Sequence, residues 1–212
     1  MIIAIDGPAG TGKSTIAGIV AEKLGVTYLN SGSFYRALTM ALLDGGFDLS
    51  DLKDEEKIVE FCKKQKLEYK NSHLILNGKD VENQLHDEKV SVNTAKVSSI
   101  IAIRHLVNER LREITKSLSI VCEGRDMTTV VFPDAEHKFY LDASADVRAK
   151  RRFDQGVSSM TLEEIKQSII KRDEIDKNKA EGALKIAADA VYIDTSDLTI
   201  EKVCEIIIDK IS

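Results

Sequence analysis

A chain of 212 residues, 43% hydrophobic and 31% charged, carries enough apolar material for one well-packed domain with a smaller appendage. Its 30 Lys and Arg against 35 Asp and Glu leave a formal charge of −5. That balance argues against a nucleic-acid-binding surface, so a polyanionic ligand must be met by a local cluster of basic side chains. No apolar run approaches the length of a bilayer span, and Met1-Ile2-Ile3-Ala4-Ile5 reaches Asp6 without a basic leader. Cys62, Cys122 and Cys204 form no CxxC pair. A soluble, cytoplasmic chain with no nucleic-acid or membrane partner is expected.

In chain order, Ile2 to Ile5 reads as a buried strand ending at Asp6-Gly7-Pro8. From Lys13 to Leu24, Ile16, Ile19, Val20 and Leu24 recur at helical spacing, and Gly25 stops the helix. The rhythm changes between about Leu67 and Gln84. Leu67-Glu68-Tyr69 and Leu74-Ile75-Leu76 flank Asn71-Ser72, and Asn77-Gly78 is a second turn signal, which predicts a small antiparallel insert. A helical run follows from Ile103 to Ile114. Strands resume at Ile120-Val121-Cys122, Lys138-Phe139-Tyr140-Leu141 and Ala190-Val191-Tyr192-Ile193, and Thr199 to Ile211 closes the chain as a helix. Alternating strands and helices predict an α/β fold, a parallel sheet covered by helices on both faces. With no internal repeat and no Pro-, Gly- or Ser-rich linker, residues 1–212 are expected to form a single domain with an inserted subdomain.

Gly7-Pro8-Ala9-Gly10-Thr11-Gly12-Lys13-Ser14 fits GxxxxGK[ST] without a mismatch, between an apolar strand and an amphipathic helix. Such a loop turns successive N–H groups toward an anion at the positive end of a helix dipole. Gly7 through Thr15 is therefore expected to hold the phosphates of ATP. Lys13 would reach the β- and γ-phosphates as a catalytic side chain, and the Ser14 hydroxyl would be a ligand of Mg²⁺. The competing reading, a glycine-rich turn that happens to contain a lysine, leaves the flanking elements unexplained. The loop alone does not separate a kinase from a nucleotide switch, but no NKxD-like guanine motif is present.

Three further segments carry a family resemblance. Tyr28-Leu29-Asn30-Ser31-Gly32-Ser33-Phe34-Tyr35-Arg36-Ala37 resembles the acceptor-side segment of bacterial cytidylate kinases. Glu123-Gly124-Arg125-Asp126-Met127-Thr128-Thr129-Val130-Val131-Phe132-Pro133-Asp134-Ala135 is similar to their most distinctive motif. Lys171-Arg172-Asp173-Glu174-Ile175-Asp176, followed by Ala187-Ala188-Asp189-Ala190, resembles their C-terminal signature. The resemblance implies a nucleoside monophosphate kinase of P-loop NTPase type: a sheet core, a monophosphate-binding insert at about 36–100 and a helical lid at about 150–168. It implies transfer of the γ-phosphoryl group of ATP to CMP or dCMP, assisted by Mg²⁺, in a closed ternary complex. A monomer is expected.

The resemblance also implies roles. Ser31 and Arg36 follow a predicted strand, and the planar fork of Arg36 suits an acceptor phosphate. Arg125 is implied for the same phosphate and Asp126 for the cytosine, whose 4-amino group a carboxylate accepts from and uracil lacks; an Arg–Asp surface pair is the alternative. Arg104 matches a cytosine-contacting arginine. Arg172 and Asp176 match residues holding ribose and phosphates, with a simple i,i+4 ion pair as rival. Ser144 reads as the N-cap of a helix over Ala145 to Arg152. Arg148, Arg151 and Arg152 share that segment, and Arg148 and Arg152 are the candidates for the transferring phosphoryl group, leading to a lid tip at Gly156 and Ser158-Ser159.

Four positions depart from the family pattern. Ala95 stands where a serine near the cytosine is common, Lys179 where an arginine closes the C-terminal signature, Asn30 for an aspartate and Thr128 for a glycine. Lys179 keeps the charge and loses the bidentate fork. These changes bear on base selectivity and on CMP against dCMP, not on the ATP loop. A kinase for another monophosphate or for shikimate, and a slow nucleotide switch, are the competing functions. His73, His86, His105 and His137 form no metal or catalytic pattern.

Overall fold

The computed structural model describes residues 1–50, 52–70, 73–156 and 160–211. The chain divides into two compact units, Met1–Leu29 with Ser119–Ser212, and Asn30–Leu118.

The first unit is built on a five-stranded sheet. Its strands are β1 (Ile2–Asp6), β2 (Thr27–Asn30), β6 (Ile120–Gly124), β7 (His137–Asp142) and β8 (Val191–Asp194), in the order β2-β6-β1-β7-β8. β1 runs parallel to β6 and to β7, and β7 parallel to β8. The central strand β1 is apolar on both sides, as a strand covered on both faces must be, with Ile3, Ala4 and Ile5 at 0% exposure. Helix α1 (Lys13–Leu24) buries Ile16, Ala17, Val20 and Ala21, and α8 (Ile200–Ile211) buries Val203, Cys204 and Ile207. Both join Ile3, Ile5, Phe139, Leu141 and Ile193 in one core. Helices α6 (Ala145–Asp154) and α7 (Leu162–Lys177) share a smaller core of Ala149, Ile165 and Ile169. Ser144 caps α6 through Val147 N–H at 3.3 Å, as the sequence predicts, and Thr161 and Glu164 form a capping box on α7.

The second unit contains α2 (Ser31–Asp44), α3 (Glu55–Lys63), α4 (Glu88–Val97) and α5 (Ile101–Thr115). It also holds an antiparallel sheet of β3 (Leu67–Lys70), β4 (His73–Leu76) and β5 (Lys79–Asp80). Asn77 and Gly78 both take positive φ, 51° and 82°, the geometry that a two-residue hairpin turn demands and that Asn-Gly supplies. The turn read at Asn71-Ser72 and the lid tip at Ser158-Ser159 lie outside the described residues. The departure at Asn30 has a local account: its Oδ1 accepts from Gly32 N–H at 2.8 Å, capping α2 as an aspartate would.

The parallel core, the flanking helices and the small antiparallel sheet are the architecture that the sequence predicts. Among the described residues, no helix is long and apolar enough to cross a membrane.

Candidate active site

The glycine-rich loop expected to hold phosphates begins where β1 ends. Gly7 has φ of 152°, and a Cβ placed there would lie 2.0 Å from the carbonyl oxygen of Leu141 on β7. No other residue lets the loop leave the sheet at this point. Gly12, at φ 87°, is the N-cap of α1 and offers no side chain to that helix end, leaving its amides for an anion. The loop is also held from within. Thr11 Oγ1 donates to the Pro8 carbonyl at 3.2 Å, and Lys13 Nζ reaches the same carbonyl at 2.6 Å and Thr11 Oγ1 at 3.3 Å.

Lys13 is 5% exposed. Burial, and then the positive charge of Arg125, pull its pKa down to about 7, with Arg172 adding to the effect. The carboxylates of Glu123 and Asp6 oppose that fall, and an anion bound at the loop favours the charged lysine.

The Ser14 hydroxyl donates to Glu123 Oε1 at 2.9 Å. Glu123, next to last in β6, is 5% exposed and is a site residue that the sequence alone does not single out. The signal was available, because it is a carboxylate at the carboxyl end of a predicted strand, beside the loop in a parallel sheet. A serine hydroxyl and one carboxylate are hard oxygen donors of the kind Mg²⁺ accepts alongside substrate phosphates.

The segment after β6 carries the next group. Arg125 Nε donates to Asp176 Oδ2 at 3.0 Å, and Lys179 Nζ reaches Asp176 Oδ1 at 2.7 Å. Burial alone would raise the Asp176 pKa. The charge of Arg125 and the hydrogen bond from Lys179 outweigh it and hold the carboxyl below its usual range. Asp176 thus gathers two of the expected acceptor-side cations, and its ion pair runs to Arg125 on another element. Arg172 is exposed on the same helix, α7. Asp126 is 3% exposed and opens a π-helical turn, Met127–Val131, which the sequence reading did not foresee.

The basic residues of α6 separate clearly. Arg148 is 4% exposed and donates to Ala143 O (2.8 Å), to the loop carbonyl of Ala9 (3.1 Å) and to both carboxylate oxygens of Asp173 (3.1 and 2.6 Å). Arg151 donates to the hydroxyl and the carbonyl of Thr195. Arg152 is exposed. Arg148 is therefore part of the wall behind the phosphate loop, and Asp173, unremarked in sequence, holds it there.

In the second unit, Arg36 donates to Leu85 O at 3.1 Å and to Ser91 Oγ at 2.7 Å. The Arg104 guanidinium lies 5.8 Å from the Tyr35 ring centroid and donates to Ser98 O at 3.3 Å. Ser31 is buried. Ala95 is exposed, and Ser98 and Ser99 each turn their hydroxyl onto a carbonyl of α4, Ala95 O and Lys96 O.

Compared with known proteins, residues 3–212 match the family model for cytidylate kinase. The chain is 43% identical to a cytidylate kinase of Borrelia hermsii over 210 residues, covering 98% of this chain and 96% of that protein. It is 41% identical to one of Thermodesulfovibrio yellowstonii over 216 residues, 100% and 97% of the two chains. A shikimate kinase of Bacteroides thetaiotaomicron has a similar fold, with a TM-score of 0.52 at 13% identity over 100% of this chain and 98% of that one.

Proposed function

This chain belongs to the cytidylate kinase family, and we propose that it moves the γ-phosphoryl group of ATP onto CMP or dCMP, releasing ADP and the diphosphate. As a member it is a nucleoside monophosphate kinase; the donor, the metal and the residue roles that follow are our reading. The observation that carries it is the glycine-rich loop between β1 and α1, with Lys13 buried in it and the helix amides beyond Gly12 uncapped by any side chain, in a chain of net charge −5.

Residues Gly7 to Thr15 cradle the triphosphate with backbone amides, and Lys13 neutralises charge on its β- and γ-phosphates. Ser14 and Glu123, whose Oγ and Oε1 are 2.9 Å apart, fit Mg²⁺; when bound, the ion would offset negative charge on the nucleotide phosphates. Arg148 adds fixed positive charge beside Ala9, and Arg152 supplies mobile charge from the exposed face of α6. Arg125, held by Asp176, grips the acceptor phosphate, and Asp126 accepts from the cytosine 4-amino group. Arg172 and Lys179 complete the acceptor-side charge. Residues 36–100 serve as the monophosphate-binding insert, with Ser31, Arg36 and Arg104 assigned to the acceptor, and residues 150–168 serve as the lid. Closure of a ternary complex excludes water from the transfer.

An ATP-coupled assay across CMP, dCMP, UMP, AMP and shikimate tests the reading. Turnover with CMP or dCMP well above the others is expected. Preferred turnover of AMP or shikimate would overturn it.

A further inference from the structure

Asp6 ends β1, immediately before the phosphate loop, and is 0% exposed. Its carboxylate accepts three hydrogen bonds from one distant segment: Met127 N–H to Oδ1 at 2.8 Å, Thr128 N–H to Oδ2 at 2.7 Å and the Thr128 hydroxyl to Oδ2 at 2.6 Å. The two amides belong to the first turn of Met127–Val131, whose N-cap residue is Asp126. An aspartate at that position ordinarily accepts from the second or third amide of the turn, Thr128 or Thr129. Here the side chain of Asp126 makes no capping bond. The cap comes from Asp6 instead, more than a hundred residues away in sequence.

From this geometry we infer that Asp6 and Thr128 form a positioning pair: a carboxylate fixed to the phosphate-loop strand holds the first turn after Asp126 and sets Arg125 and Asp126 in register with the loop. The inference rests on the proposed function only in naming CMP as the ligand whose binding reports on the register. It also gives Thr128 a task that a glycine at this position cannot perform, since its hydroxyl supplies one of the three bonds. Burial raises the Asp6 carboxyl to about 6, and the three donors oppose that rise. Asp126 is the charged neighbour that pushes it further up, while Lys13, Cys122 and Tyr140 feel its charge from α1, β6 and β7.

The test compares Thr128→Val, which keeps the shape and removes the hydroxyl, with Thr128→Ser, which restores it. The Val variant is expected to raise the KM for CMP about tenfold, the size of one hydrogen bond to a charged group, with the KM for ATP within about twofold. Ser is expected to lie within about twofold of the parent for both. Equal weakening of ATP and CMP, no change in either, or failure of Ser to rescue would overturn the pair as a positioning device. Thr128→Ala carries the same readout if the Val variant does not fold. A carbon-13 titration of the Asp6 carboxyl reads the pair without substrate. Losing the hydroxyl must move that titration upward from about 6, and an unchanged value overturns the inference even if the parent prefers a different acceptor.

Discussion

The phosphate loop and residues 125–128, the proposed acceptor segment, follow paired strands of one sheet, yet they are stabilised in different ways. The loop is eight consecutive residues with bonds of its own, Thr11 to Pro8 and Lys13 to Pro8 and Thr11, and outside contacts at Ser14, to Glu123, and at Ala9, from Arg148. The acceptor segment is held from outside: Arg125 by Asp176 on α7, and Met127 and Thr128 by Asp6 on β1. A mostly contiguous site is specified chiefly by local sequence and depends first on its own residues. An assembled site depends on partners far along the chain, and its fine geometry can be retuned by residues that touch no substrate. Donor chemistry should therefore prove rigid and acceptor selectivity adjustable.

That contrast can be broken by substitution. The largest effect expected is from Lys13→Ala, which should lower kcat by about a thousandfold or more while the thermal melt stays cooperative; retained turnover would contradict the role of the loop lysine. Next, Asp126→Ala should raise the KM for CMP by about 10- to 100-fold with little change for ATP, as loss of a base-reading contact does. Equal damage to both substrates would remove the distinction between the two regions. Asp173→Ala strands the buried Arg148 charge and should cost about 3–5 kcal/mol in denaturant unfolding. Because Arg148 also holds Ala9, this variant should weaken ATP more than CMP. A loss smaller than about 1 kcal/mol would show that the ion pair is not needed to build the wall behind the loop.

The smallest effect expected is in pH dependence. Lys13 is pulled from 10.5 to about 7 by burial and the Arg125 charge. Between those values the unfolded chain binds more protons than the folded one, so the stability of the ligand-free protein should rise with pH across that window. Lys13→Met should flatten the rise. Phosphates bound at the loop favour the charged lysine, so ATP affinity should fall as pH climbs above about 7. Calorimetry in buffers of different ionisation enthalpy should then register proton uptake.

How much of this was legible in sequence follows the same division. Helix α1 runs from Lys13 to Leu24 as its spacing predicts, because apolar periodicity and a glycine stop are local signals. The strands β1, β6, β7 and β8 were found by their apolar runs, and the antiparallel insert by its Asn77-Gly78 turn. The π-helical turn at Met127–Val131 was not, since its amides are satisfied by a carboxylate at position 6 that no local pattern announces. Asp173 reads as one more charge on a helix until Arg148 is seen beneath it. Glu123 lay in plain view within a recognised motif, but its relation to Ser14 arises only when β6 pairs with β1.

The central claim is that positive charge gathered at the end of β1 serves transfer between two nucleotides. It is tested most directly by following γ-labelled ATP in the presence and absence of CMP. The account predicts that the label appears in the β-phosphate of CDP in step with ADP, and that little is released without CMP. Label recovered as free phosphate at the same rate with or without CMP would contradict it.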